Sequence, residues 1–190
     1  GKAKSGELTG DFRLALIPTI APCLLPLFLG AFARRYPGVN LFVEELTTEN
    51  ILESLARDRI DAGILATPLP GEKLVERPLY YEPFWVFAAE GHPLLKLAEV
   101  SEDRLEPTDI WLLAEGHCLR NQIVRLCGAR GQFKSGAGTF PNVRLESGSL
   151  ETVIHLVEQG HGYTLLPHLA AKAIEGKKKS QLKPLSKPVP

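Results

Sequence analysis

The sequence predicts an α/β fold in which two similar halves are joined by a hinge. In the first half, apolar segments with strand and helix spacing alternate in the order β-α-β-α-β, which is typical of a parallel sheet. A second block of strands and helices follows Tyr81-Glu82-Pro83. With 190 residues and 44% hydrophobic content, the chain is large enough to bury the core of one domain or of two small ones.

The first half opens with a strand. Phe12 to Ile17 is rich in β-formers and alternates in polarity, and Pro18-Thr19 ends the pattern. An apolar helix is predicted from Ala21 to Tyr36. The other elements expected here are a strand over Val39–Leu46, an amphipathic helix over Glu49–Arg57 and a buried strand over Ile60–Ala66.

The second half starts with the apolar strand Phe84–Ala89. Further strands are predicted at Ile110–Leu113, Thr139–Leu145 and Tyr163–Leu166, and helices at the Cys118 segment and over Ser149–Gln159. A hinge is expected near residue 82, which divides the chain into subdomains over residues 1–82 and 83–186.

The amino-acid composition argues against nucleic-acid binding, secretion and membrane insertion. Lysine plus arginine and aspartate plus glutamate number 22 each, so the chain has no net positive field with which to hold a nucleic-acid backbone. Three cysteines and no charged-then-apolar leader indicate a reducing cytoplasm rather than secretion. Prolines interrupt the longest apolar stretch, Leu14 to Phe32, so no membrane span is expected.

Cys118 and Cys127 lie at the two ends of one predicted helix, in which Leu119, Ile123 and Leu126 have helical spacing. Nine helical residues separate two Cα atoms by about 13 Å and turn them to opposite faces. A disulfide requires about 4.4–6.8 Å between Cα atoms. If these two thiols pair, the helix must unwind, so the spacing is compatible with a redox switch.

Cys118 is the better placed of the two to react. With Gly116 as the predicted N-cap, Cys118 falls in the first helical turn, where backbone N–H groups and the helix dipole favour a thiolate. Arg120 and His117 are expected to add positive charge. Cys127 precedes a glycine-rich loop and fits a resolving role. The spacing is equally compatible with two small buried residues that never react.

Turns at the carboxyl edge of a parallel sheet are the usual ligand sites of such folds. Thr19 and the Thr47-Thr48 pair lie on two of these turns, and His117 and Arg120 lie on the corresponding turn of the second half. These side chains could converge on Cys118. Each also fits a plainer role, because the threonines could only cap helices and Arg120 could only face solvent.

Two motifs carry a family resemblance. Leu16-Ile17-Pro18-Thr19-Ile20-Ala21-Pro22, with Leu24-Leu25-Pro26 and the Gly63-Ile64-Leu65 strand, resembles the effector-binding domain of LysR-type transcriptional regulators. The stretch Glu115-Gly116-His117-Cys118-Leu119-Arg120, with Gln122 and Cys127, is similar to the more specific signature of OxyR-type peroxide sensors. Leu165-Leu166-Pro167 fits as well, and the resemblance covers nearly the whole chain.

The resemblance implies two Rossmann-like, periplasmic-binding-protein-like subdomains, with residues 187–190 beginning a return crossover. It implies that Cys118 reacts with hydrogen peroxide, that Cys127 is its disulfide partner, and that Thr19, Thr48, His117 and Arg120 form the peroxide pocket. The family's winged helix-turn-helix is absent from these residues. Asn121 departs from the aspartate usual after the arginine, and Cys23 is expected to be a buried bystander.

The resemblance also implies partners. The chain is expected to associate with copies of itself to dimers or tetramers and to react with cellular thiol reductants. Promoter DNA and RNA polymerase are expected to bind only to the full-length protein. No cofactor, metal ion or membrane is expected.

Three functions remain open from the sequence. The first is a peroxide-sensing regulator fragment that is not an enzyme. The second is a regulator domain that binds a small organic anion through Arg120, with inert cysteines. The third is a thiol peroxidase, which the absence of a Cys-x-x-Cys motif disfavours. Counting thiols before and after one equivalent of peroxide separates the second from the other two.

Overall fold

The computed structural model describes residues 8–67, 69, 74–127 and 145–186. The chain divides into two compact units, Gly1–Leu65 and Ala66–Pro190. Residues 66–83 form the beginning of the second unit, and their described part contains no helix or strand. The predicted hinge near residue 82 stays a prediction.

Unit 1 is built around a parallel sheet. Its elements are β1 (Gly10–Leu16), α1 (Ala21–Arg35), β2 (Val39–Glu45), α2 (Thr48–Ala56) and β3 (Ala62–Ile64). The strands lie in the order β2-β1-β3, and both neighbours run parallel to β1. The β-α-β-α-β order predicted from the sequence is confirmed, and the predicted element ends lie within two residues of the observed ones.

Helix α1 covers one face of this sheet. Pro22 stands at the start of the helix, where its missing N–H costs no hydrogen bond, and Arg34 and Arg35 occupy the last turn, where they complement the helix dipole. The core of the unit comprises Leu14, Leu16 and Ala21, against which Leu24, Leu25 and Phe28 of α1 pack. On α2, Ile51 is fully buried.

Unit 2 has a different strand arrangement. Its elements are β4 (Phe84–Ala88), α3 (Cys118–Leu126), α4 (Leu150–Glu158), β5 (Tyr163–Pro167), α5 (His168–Lys178) and β6 (Leu182–Pro184). Strand β4 is central, and both β5 and β6 run antiparallel to it. The two halves are thus both α/β, but their similarity does not extend to strand direction.

The strand predicted at Ile110–Leu113 is wrong. Among the described residues, Ile110 alone of the four forms a bridge, parallel to Tyr163, and no ladder follows it. The four residues are nevertheless almost fully buried. Trp111 N donates to Tyr163 O, and the Trp111 indole donates to His161 O. Burial accounts for the apolar run that suggested a strand. The strand predicted at Thr139–Leu145 lies, apart from its last residue, outside the described residues.

The helices predicted at the Cys118 segment and over Ser149–Gln159 are confirmed as α3 and α4. Ser149 is the N-cap of α4, and its hydroxyl accepts a hydrogen bond from Thr152 N. Within the described residues, no helix is long and apolar enough to cross a membrane.

We expect Gly63→Ala to destabilise unit 1 by about 1–3 kcal/mol, because a Cβ on β3 would overlap Ile51 Cγ2 in the core. Gly176→Ala is the control. A Cβ there meets no atom within 4 Å, and alanine should stabilise α5 by about 0.5–1 kcal/mol. Urea unfolding curves of both variants test this, and an unchanged midpoint for Gly63→Ala would contradict the described packing of α2 on β3.

Candidate functional site

The reactive candidate Cys118 is the first residue of α3. Its N-cap is His117 (φ −90°, ψ 123°), so the prediction that Gly116 caps the helix is wrong. Gly116 instead has φ +88°, a conformation that suits glycine and that turns the chain into the helix one residue earlier. Cys118 still lies in the first turn, where the backbone N–H groups and the helix dipole favour a thiolate.

Helix α3 places the two cysteines on different faces. Leu119, Ile123 and Cys127 recur every four residues and form its buried stripe, each with an exposure of 1–2%. Leu126, predicted as part of that stripe, is only half-buried, as is Cys118. The nine-residue helix runs unbroken up to Cys127, whose N–H donates to Ile123 O. Nine residues of helix correspond to about 13 Å, which no disulfide spans.

His117 is buried beside the reactive candidate, with 8% of its surface exposed. Burial lowers the pKa of its imidazole below the ordinary value of 6.5. The ring is therefore neutral at pH 7 and does not add the positive charge that the sequence suggested. A neutral imidazole next to a thiol is able to accept a proton.

Arg120 follows in the same helical turn and is half-buried rather than facing solvent. Its Nη1 donates a hydrogen bond to Leu113 O over 3.0 Å. This bond fixes the guanidinium next to the segment that enters the helix. Because an arginine side chain remains charged in proteins, Arg120 supplies the permanent positive charge of this turn.

Thr19 and Thr48 both lie at the carboxyl edge of the unit 1 sheet. Thr19 follows β1 and is 4% exposed, and Thr48, the first residue of α2, follows β2. Because β1 and β2 are parallel neighbours, the segments that follow them leave the sheet at the same edge. Within the described residues, the Thr48 Oγ1 atom is buried and has no hydrogen-bond partner.

An unpaired buried hydroxyl costs free energy, so its retention requires an explanation. A small polar ligand at the sheet edge would satisfy it. The structure thus groups the predicted site residues in two sets: His117, Cys118 and Arg120 on one turn, and Thr19 and Thr48 at one sheet edge. That the two sets form a single pocket with Cys127 as resolving residue stays a prediction.

Sequence reasoning missed Gly148, which lies against the His117 ring. A Cβ at this glycine would lie 3.0 Å from His117 Nε2. No local pattern links residues 31 positions apart, so only the fold reveals this contact. Cys23, predicted as a buried bystander, is half-buried on the first turn of α1, next to the exposed Pro22.

Two α/β units, one with a polar sheet edge and one with a thiol at a helix start, match a known class of regulatory domain. The family described as "LysR substrate binding domain" matches residues 5–190, and the chain belongs to this family. The predicted fold class, two periplasmic-binding-protein-like subdomains, is confirmed by this family and by its solved structures.

Within the family, the chain is similar to OxyR proteins. It is 36% identical over 187 residues, 98% of its length, to a probable hydrogen peroxide-inducible genes activator of Mycobacterium leprae. The reduced OxyR regulatory domain of Pseudomonas aeruginosa superposes with a TM-score of 0.79 at 31% identity, and the match covers 97% of this chain and 86% of that one.

A third relative is a cysteine-to-serine variant of Corynebacterium glutamicum OxyR with hydrogen peroxide bound. It has a TM-score of 0.78 at 32% identity, and the match covers 95% of this chain and 54% of that one. The chain spans 58% of the length of the Mycobacterium leprae relative.

The buried His117 should make stability depend on pH. The pKa of His117 is lowered in the folded state, so the unfolded chain binds more protons than the folded one as pH falls. The contribution of His117 to the free energy of unfolding is therefore full above pH 6.5, and it is lost as pH falls through the pKa of the folded state. We expect the unfolding free energy of the wild type, measured against His117→Gln, to fall with decreasing pH below about 6.5.

His155→Gln is the matched control, because His155 is exposed and its pKa is raised by its hydrogen bond to Glu158. The contribution of His155 is present below pH 6.5 and is lost as pH rises through the raised pKa. Urea titrations from about pH 5 to about pH 8 measure both slopes. Slopes of the same sign for the two histidines would contradict the burial of His117.

Proposed function

We propose that this chain is the redox-sensing regulatory domain of a hydrogen-peroxide-responsive transcription regulator, switched by a reversible Cys118–Cys127 disulfide. One observation carries the proposal: a helix begins at one cysteine and ends at the other, with the first thiol at the positive end of the helix dipole and the second buried. The similarity to a probable hydrogen peroxide-inducible genes activator supports hydrogen peroxide as the oxidant of Cys118.

The first chemical step is oxidation of Cys118. The thiolate attacks one peroxide oxygen, the O–O bond breaks, and Cys118 becomes a sulfenic acid while hydroxide leaves. The leaving oxygen requires a proton to depart as water. In this proposal, neutral His117 takes the thiol proton and then returns it to the leaving oxygen. Arg120 stabilises the negative charge that develops on this turn.

The second step forms the disulfide. The thiolate of Cys127 attacks the sulfenic sulfur of Cys118, an S–S bond forms, and hydroxide leaves and is protonated to water. In total, two thiols and one peroxide give one disulfide and two waters. Because α3 holds the thiols about 13 Å apart, this step requires the helix to unwind and Leu119 and Ile123 to leave their buried positions.

The threonines of unit 1 complete the peroxide pocket in this proposal. Hydrogen peroxide is small, and each of its oxygens both donates and accepts hydrogen bonds. Thr48 Oγ1, buried and unsatisfied among the described residues, is a partner of matching chemistry, and Thr19 lies on the neighbouring turn. The peroxide-bound relative from Corynebacterium glutamicum supports a peroxide site in a domain of this fold.

The proposal extends to the full-length regulator that contains this chain. We infer that it acts in the cytoplasm, that it self-associates to a dimer or tetramer, and that promoter DNA and RNA polymerase are bound through the full-length protein. Cellular thiols reduce the disulfide and reset the switch. The chain signals rather than turns over substrate, so it is not an enzyme.

The cysteine roles predict two distinct oxidation products. With one equivalent of peroxide, the wild type should lose two thiols and gain one Cys118–Cys127 bond. Cys118→Ser should not respond, and Cys127→Ser should stop at a sulfenic acid that drifts to sulfinic. Thiol counting and mass spectrometry of the peptides measure these products.

Cys23→Ser is the control and should behave as the wild type does. Oxidation of Cys118→Ser at the wild-type rate would refute the assignment of Cys118. Loss of no thiols in the wild type would instead favour a domain that binds an organic anion. Peroxide turnover at roughly 1 s⁻¹ or faster with an added thiol reductant, the rate range of enzymes, would favour a thiol peroxidase.

Thr48→Val should separate stability from function. Valine keeps the shape and removes a buried hydroxyl without a partner among the described residues, so the fold should gain about 1 kcal/mol. Loss of a hydrogen bond to peroxide should slow Cys118 oxidation roughly two- to tenfold. Thermal unfolding and stopped-flow thiol oxidation test the two effects.

Thr47→Val is the matched control, because Thr47 is the N-cap of α2 and its side chain makes no capping hydrogen bond. It should stay close to the wild type in both measurements. A destabilised Thr48→Val variant that reacts at the wild-type rate would place the peroxide pocket elsewhere.

A further inference from the structure

We propose that Gly148 is a positioning residue for His117: the missing side chain at residue 148 makes the space in which the imidazole is held beside Cys118. The inference deepens the proposed function and rests on it, since it assigns a residue that acts on the reactive thiol through His117. Gly148 lies 31 positions away in the sequence, just before α4.

The inference depends on one short distance between residue 148 and the His117 ring. A Cβ built on Gly148 would lie 3.0 Å from His117 Nε2 and 3.5 Å from His117 Cε1. Carbon and nitrogen atoms in contact are ordinarily about 3.5 Å or more apart. The edge of the ring therefore packs on the glycine backbone, and any side chain at residue 148 would push against it.

The backbone around Gly148 is tied down on both sides. Ser147 O accepts a hydrogen bond from Ala114 N over 2.8 Å, which joins this segment to the one that leads into α3. Ser149 N donates to Ser147 Oγ over 3.1 Å, and Ser149 Oγ caps α4 through Thr152 N. A shift of the Gly148 backbone would strain these bonds, so we expect the side chain of His117 to move.

Movement of His117 reaches the reactive thiol directly. His117 is the N-cap of α3 and Cys118 is its first residue, so the two side chains leave adjacent backbone positions. A proton acceptor works only within hydrogen-bond reach of the proton that it takes. A displaced ring accepts that proton less well, and the reaction of Cys118 with peroxide slows.

Gly148→Ala, His117→Ala and the double variant form the test, and Gly176→Ala, where a Cβ meets nothing within 4 Å, is the control. The rate of Cys118 oxidation by hydrogen peroxide is measured for each. We expect Gly148→Ala to react roughly three- to tenfold more slowly than the wild type. In the His117→Ala background, Gly148→Ala should add less than about a twofold loss.

An unchanged rate for Gly148→Ala, or the same loss with and without His117, would overturn the inference. If Gly148→Ala does not fold, the folding of the double variant decides the question. A folded double variant would support a clash between the alanine methyl and the His117 ring, because removal of the ring relieves it. An unfolded double variant would overturn the inference. Circular dichroism reports the folded state.

NMR titration of His117 gives a readout that does not require peroxide. Displacement from the buried position should raise the His117 pKa toward 6.5 in Gly148→Ala and leave it unchanged in Gly176→Ala. An unchanged His117 pKa in Gly148→Ala would overturn the positioning role. If wild-type Cys118 does not react with peroxide, the proposed function fails, while the NMR titration still decides the role of Gly148.

Discussion

Helix α3 holds two thiols apart by its own geometry, and most of what this chain can do follows from that separation. Nine residues of helix give about 13 Å between Cys118 and Cys127 and put them on opposite faces. The same helix begins at the first thiol, where a helix dipole favours a thiolate, and buries the second along the stripe of Leu119 and Ile123. In the proposed switch, one element thus both activates the first thiol and prevents the disulfide from forming while the helix stays folded.

The surroundings of α3 keep its first turn in place. Arg120 donates a hydrogen bond to the carbonyl of Leu113, just before the helix, and the His117 ring lies against Gly148, 31 residues further along the chain. Burial makes His117 neutral, whereas Arg120 stays charged. In the proposed mechanism the two residues therefore have different roles: His117 exchanges protons, and Arg120 stabilises negative charge.

Sequence periodicity predicted much of this architecture, because the strands of unit 1 carry apolar residues that pack together with those of α1 around Leu14 and Leu16. Strand direction in unit 2 depends on which strands pair across long separations, and local spacing does not encode it. No element was predicted over α5 and β6, where apolar residues are mixed with lysines. The cysteine helix was predictable from a nine-residue spacing, whereas the Gly148 contact and the unpaired Thr48 hydroxyl required the fold.

In the proposed switch, the cost of unwinding α3 sets how easily the disulfide is reduced again. Leu119 and Ile123 are 2% exposed, and burial of each such side chain contributes about 1.5–3 kcal/mol. If half of this is recovered by repacking in the oxidised state, the net cost for the two side chains is still roughly 1.5–3 kcal/mol. Since about 30 mV corresponds to 1.4 kcal/mol for a dithiol couple, the bond is more oxidising than an unstrained one by roughly 30–65 mV. The stripe that keeps Cys127 buried before oxidation is therefore also what lets cellular thiols clear the disulfide afterwards.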